Sequence, residues 1–146
     1  MTLTIEKRDL FTVPKDYYLC HCISADFALG AGIAKKFAAL GVRDELMKYY
    51  NVYLWLGCGQ CLYTHATGWA GEYNLVTKKN YWHKPKLEAL YEALVSLSRH
   101  PNANGKLAMP KIGCGLDGLN WLDVEQLIRK VFADKNIEIL VCDYKG

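Results

Sequence analysis

Apolar residues along this chain fall into two rhythms. Short runs rich in strand formers occupy residues 17–23, 52–56, 61–65, 73–77, 107–112 and 137–142, each too short for a stable helix. Elsewhere apolar side chains recur every three or four positions. Ile33, Phe37 and Leu40 form one such stripe, and residues 42–50 continue as a second helical piece. Leu87, Leu90, Tyr91, Leu94 and Leu97 form a third, and Trp121, Val124, Leu127, Ile128, Val131 and Phe132 a fourth. Pro85 suits the first turn of the third helix, and Asn120, with Asp123 three residues on, suits the N-cap of the fourth. Gly57-Cys58-Gly59 predicts a hairpin between 52–56 and 61–65, and Asn102-Ala103-Asn104-Gly105 ends the third helical unit. The predicted order is β, β, α, β-hairpin, β, α, β, α, β.

Three strand–helix–strand passages imply crossovers, so the expected fold class is α/β: a mixed, largely parallel sheet between two helical layers. With 146 residues and no repeat, linker or low-complexity tract, residues 1–146 read as one domain. The topology also predicts where chemistry sits. Loops leaving the carboxyl ends of parallel strands share one edge, and ligands bind there. Residues 24–32, 78–84 and 113–118 are the three loops that qualify.

Composition narrows the function classes. Eighteen basic against 15 acidic side chains give a net charge of +3, which suits a small anionic ligand and falls short of a dedicated nucleic-acid binder. No apolar run nears the roughly 18 residues that would cross a membrane. Charge appears at Glu6, Lys7, Arg8 and Asp9 before any hydrophobic region forms, unlike a signal peptide. Six cysteines without such a signal suggest reduced thiols and a cytoplasmic location. A monomer without membrane contact is expected.

Two glycine loops carry candidate chemistry. Gly113-Cys114-Gly115-Leu116-Asp117-Gly118 matches the dinucleotide pattern G-x-G-x-x-G between a strand and a helix. It sits too late in the chain for that fold, because only one strand follows and Glu138 lies at that strand's start. The loop can still bring backbone amides and a helix N-terminus to a phosphate; a tight structural turn is the alternative. Gly30-Ala31-Gly32 precedes another helix, and two cradles on one edge suit a diphosphate.

Lys78 and Lys79 end a strand, where alternation sends them to opposite sides. An ordinary lysine is neutral only about 0.04% of the time at pH 7, and a pKa near 8 would raise that to about 10%. A neighbouring cation and partial burial act in that direction, which makes Lys78 a candidate amine nucleophile. Asp117 on the same edge is its candidate acid/base partner. Cys20, Cys22, Cys58 and Cys61 could be imagined as a zinc site, but the first pair shares one face of a buried strand and the second straddles a turn. The four histidines show no metal spacing, and neither a metal nor a cofactor is expected.

Taken together, these segments resemble a macrodomain of the terminal ADP-ribose protein glycohydrolase type. The resemblance runs through Arg8-Asp9-Leu10-Phe11, His21-Cys22-Ile23-Ser24, Gly30-Ala31-Gly32-Ile33-Ala34, Leu75-Val76-Thr77-Lys78-Lys79, His83-Lys84-Pro85 and residues 109–117. It implies an ADP-ribosyl hydrolase binding ADP-ribose along the loop edge. Asp9 would hold the adenine amino group beside the Leu10 backbone, and His21 and Ser24 would border the ligand. The backbones of Gly30, Ala31, Gly32 and Ile33, and of Ile112, Gly113, Cys114, Gly115 and Leu116, would hold the diphosphate and distal ribose. Lys78 would attack C1″ of that ribose to form a covalent adduct, which Asp117 helps to resolve. The released partner would be an acidic protein side chain, an acetyl group or a nucleobase of DNA. A non-catalytic ADP-ribose reader and a phosphatase acting on ADP-ribose 1″-phosphate are the competing readings. Two departures stand out: Arg8 replaces a glycine common before the aspartate, and the asparagine that other macrodomain hydrolases place near the distal ribose is absent.

Overall fold

The computed structural model describes residues 1–50, 57–100 and 105–144. Six strands form one sheet: β1 (Thr2–Glu6), β2 (Tyr18–Ser24), β3 (Gln60–Thr64), β4 (Gly71–Lys78), β5 (Lys106–Met109) and β6 (Glu138–Cys142). Their spatial order is β1-β6-β5-β2-β4-β3. The pairs β1–β6, β6–β5, β5–β2 and β2–β4 are parallel, and β3 runs antiparallel to β4 at the edge. The sheet is therefore mixed and largely parallel, as the strand–helix alternation predicts.

Helices α1 (Gly32–Ala39) and α2 (Val42–Tyr49) pack on one face, and α3 (Leu87–Ser98) and α4 (Trp121–Phe132) on the other. Side-chain alternation along β2 explains the division. Leu19 and Ile23 enter the core with Phe37 and Leu46, whereas Cys20 enters the core with Leu90, Leu94, Val124 and Ile128. Each large apolar side chain buried in these layers contributes roughly 1.5–3 kcal/mol against leaving it in water.

Several boundaries move for local reasons. β5 stops at Met109 because Pro110 has no amide to give the ladder. α3 starts at Leu87 with Lys86 as its N-cap, so Pro85 precedes the helix instead of opening it. Leu40 caps the end of α1 and stays 36% exposed, because Gly41 at φ 102° turns the chain before the stripe can continue. Residues 52–56, the first arm of the expected hairpin, and 102–104 lie outside the described residues. Among the described residues, the antiparallel partner of β3 is β4.

Candidate functional site

The three expected loops meet over the carboxyl ends of β2, β4 and β5, around a cleft of about 990 Å³. Its lining includes Ser24, Gly30, Ala31, Gly32, Ile33, Lys78, Ile112, Gly113, Cys114, Gly115, Leu116 and Asp117. Widely separated segments thus share one concave surface, as the parallel topology requires.

One wall is built from strain and ties. Phe27 and Leu29 adopt φ of 53° and 43°, a left-handed conformation unfavourable for side chains of their size. Burial of both holds them there, and Arg43 Nε on α2 donates to the Phe27 carbonyl at 2.8 Å. Asp26 takes the Ala28 amide and the Ser24 hydroxyl on Oδ1, and the Tyr81 amide on Oδ2 at 2.8 Å. This carboxylate joins two of the cleft loops. The sequence pattern gives no sign of this tie, because the Tyr81 amide meets Asp26 only on folding.

The wall leads to the first turn of α1. Its N-cap is Ala31, which has no side-chain group to satisfy the free amides, so they remain available at a cleft-lining turn. The second glycine loop differs from expectation. α4 is capped by Asn120, whose Oδ1 accepts the Leu122 amide at 2.9 Å, and neither residue lines the cleft. Residues 113–117 therefore line the cleft themselves, without the α4 N-terminus. Gly113 sits at φ 74°, and a Cβ there would lie 2.8 Å from Leu119 Cδ1, so the turn needs glycine. Leu116, 70% exposed, extends its Cδ1 over Gly32.

At the end of β4, Lys78 Nζ donates to Asp117 Oδ1 at 2.8 Å, with 15% and 19% of the two side chains exposed. The sequence reading expects a neighbouring cation beside Lys78; the group in contact is this carboxylate, while Lys79 is exposed to solvent. Next to the pair, Lys84 Nζ donates to the Leu116 carbonyl and ties loop 79–84 to loop 113–118. Lys111 pairs with Asp143 at 3.3 Å toward the β6 end of the cleft.

The cysteines at the site are poor nucleophiles. Burial pushes the Cys22 thiol up to about 12, with Asp117 and Cys114 adding to the shift, and burial also raises Cys114. Both stay protonated at neutral pH, whereas the thiolate is the reactive form. Of the two cleft lysines paired with a carboxylate, Lys78 is the more buried, 15% exposed against 34% for Lys111.

Three expected ligand residues are not part of the cleft lining. His21 is fully buried under α1, stacked on Phe37 with ring centroids 3.7 Å apart and bonded through Nε2 to Asn74 Oδ1 at 2.5 Å. It is a core residue, because strand alternation turns it inward one position before β2 reaches the cleft. Leu10 is 2% exposed in the same core layer. Asp9 caps the single 3₁₀ turn Leu10–Thr12 through the Phe11 amide and lies 3.8 Å from Lys36 on α1. Its strand end meets that of β6, where the Asp143 amide donates to the Glu6 carbonyl, so Asp9 stands beyond the lining at the β1–β6 end.

No family model matches the chain. The human (Homo sapiens) protein named ADP-ribose glycohydrolase OARD1 is 40% identical over 145 residues, covering 95% of this chain and 90% of that protein. Among solved structures, the macrodomain of Mycobacterium tuberculosis DarG superposes with a TM-score of 0.78 at 21% identity, over 99% of this chain and 98% of its own. Thermosipho africanus DarTG, solved in complex with ADP-ribose, gives a TM-score of 0.70 at 17% identity over 96% of this chain and 41% of its own. These structural likenesses establish the macrodomain fold.

Proposed function

The chain belongs to the family of the ADP-ribose glycohydrolase OARD1, and from that premise we propose that it hydrolyses the bond between C1″ of ADP-ribose and an attached acyl group through Lys78 and Asp117. The observation that carries this reading is the 2.8 Å contact between Lys78 Nζ and Asp117 Oδ1 inside the cleft that both glycine loops line. A reader has no need of a nucleophile beside its ligand.

In the proposed reaction the diphosphate lies against the free amides of α1 and the backbone of residues 113–116, which brings C1″ to Lys78. Asp9 would meet the adenine end. Asp117 takes a proton from the Lys78 ammonium, and the freed Nζ attacks C1″. The N–C1″ bond forms as the C1″–O bond breaks, and the carboxylate leaves with the bonding pair and takes the proton from Asp117. Asp117 then accepts a proton from water, whose oxygen adds to C1″ as the C1″–N bond breaks. The amine recovers that proton, so ADP-ribose and a free carboxylic acid are the products.

The test is ADP-ribose release from a peptide ADP-ribosylated on glutamate, by wild type and Lys78→Ala. Release by wild type alone is expected, with ADP-ribose affinity retained in the variant. Equal release by both removes the lysine mechanism. No release by either, with ADP-ribose still bound, identifies a reader, and inorganic phosphate freed from ADP-ribose 1″-phosphate identifies a phosphatase.

A further inference from the structure

The sheet order gives the cleft a direction. Its lining runs from Asp143 and Tyr144, after β6, to Lys78 and Tyr81–Lys84, after β4, with β5 and β2 between. Three inter-strand steps separate those ends, about 14 Å. With C1″ at Lys78, the group bonded to C1″ sits at the β4 end of the cleft, where Tyr81–Lys84 form part of the lining.

That segment is built unlike an ordinary surface loop. Tyr81 and Trp82 are 63% and 64% exposed, although large aromatics normally bury most of their surface. Residues 78–86 contain four lysines, one histidine and no acidic residue. Among the described residues none of Lys79, Lys84 and Lys86 is ion-paired. The loop is nevertheless fixed: Asp26 holds the Tyr81 amide at one end and Lys84 grips the Leu116 carbonyl at the other. A pair of exposed aromatics on a tied backbone, flanked by lysines beside a reaction centre, has the make-up of a binding hot spot, since less entropy is lost when a partner covers it.

Resting on the function proposed above, we propose that Tyr81 and Trp82, with Lys79 and Lys86 beside them, form a specificity wall that binds the acidic polypeptide segment carrying the ADP-ribosylated side chain. The lysines complement an anionic chain that carries the modified carboxylate. A single-stranded nucleic acid suits the wall less well. Trp82 meets the rings of Tyr81 and His83 edge-to-face, at 89° and 62°, so the rings do not form parallel platforms for successive bases. Tyr81 and Trp82 thus choose the leaving chain, and the glycine loops hold what all substrates share.

The test uses the full chain with Lys78→Ala, which holds substrate without turning it over, and measures affinity by calorimetry. Ligands are free ADP-ribose, an acidic peptide ADP-ribosylated on glutamate, and a single-stranded oligonucleotide ADP-ribosylated on a base. The peptide is expected to bind about tenfold more tightly than free ADP-ribose, and adding Tyr81→Ala and Trp82→Ala should remove that advantage while ADP-ribose affinity moves less than about twofold. A peptide with no advantage, or an advantage that survives both substitutions, overturns the proposal. An advantage confined to the oligonucleotide overturns the assignment to a polypeptide. Affinity is read without turnover, so failure of the hydrolase reading shows separately, as absence of release by wild type.

Discussion

Strand β4 has an ionisable side chain near each end, and the fold treats the two in opposite ways. Glu72, near its start, is fully buried and accepts four hydrogen bonds: from Thr64 Oγ1, the Ala66 and Thr67 amides, and Thr67 Oγ1. Lys78, its last residue, has a single side-chain partner and opens on a cleft. At the amino end every lone pair in use is matched, and the carboxylate clamps the 64–67 turn onto the sheet. At the carboxyl end the pair is left underbonded, and each member can exchange its partner for a substrate atom. A saturated polar group stabilises, and an unsaturated one reacts.

Stability measurements can break or sharpen that contrast. The largest expected effect is Glu72→Ala, which strands four buried or half-buried donors and should cost about 4 kcal/mol in urea unfolding. A loss below about 1 kcal/mol would mean that water serves those donors equally well, and the contrast would fail.

His21, midway along the neighbouring strand, comes next. Burial lowers it from an ordinary value near 6.5 to about 4, so the native state keeps it neutral while the unfolded chain protonates. The unfolded state binds more protons between those values, so stability is complete above about pH 6.5 and falls as the pH drops toward 4. The total is roughly 3 kcal/mol, and the fall levels off below the lower value. Urea midpoints across pH 3–8 should show this slope, and His21→Gln should flatten it.

Asn120→Ala should cost about 1 kcal/mol by removing the cap of α4, with no change in ADP-ribose affinity. Affinity lost along with stability would mean that the α4 N-terminus serves the ligand after all. The smallest expected stability effect is Lys78→Ala, under about 1 kcal/mol, since its pair is partly exposed and contributes little to folding. The same variant should lose at least about 10³-fold in turnover. A stability loss matching that of Glu72→Ala would make the pair structural.

Much of this was legible in the chain. Periodicity alone distinguishes strands from helices, because side chains repeat every two residues in one and every 3.6 in the other. The order of elements then makes the sheet largely parallel and sends three loops to one edge, which places Lys78 beside Asp117 without any coordinates. The resemblance supplied roles that no spacing could. Other features were decided only by packing. The resemblance marks His21 as a site residue, but strand alternation and the ring of Phe37 take it into the core. Asp26 carries no mark in the sequence pattern, and its tie to the 79–84 loop exists only because the fold sets the Tyr81 amide against it.

Local propensity and chain connectivity make the alternation of strands and helices, the apolar faces and the loops that share an edge legible in one dimension. Only the tertiary structure decided which polar groups are saturated and which are left to react. Saturation depends on donors and acceptors from distant segments meeting within about 3 Å, and no one-dimensional pattern records that distance.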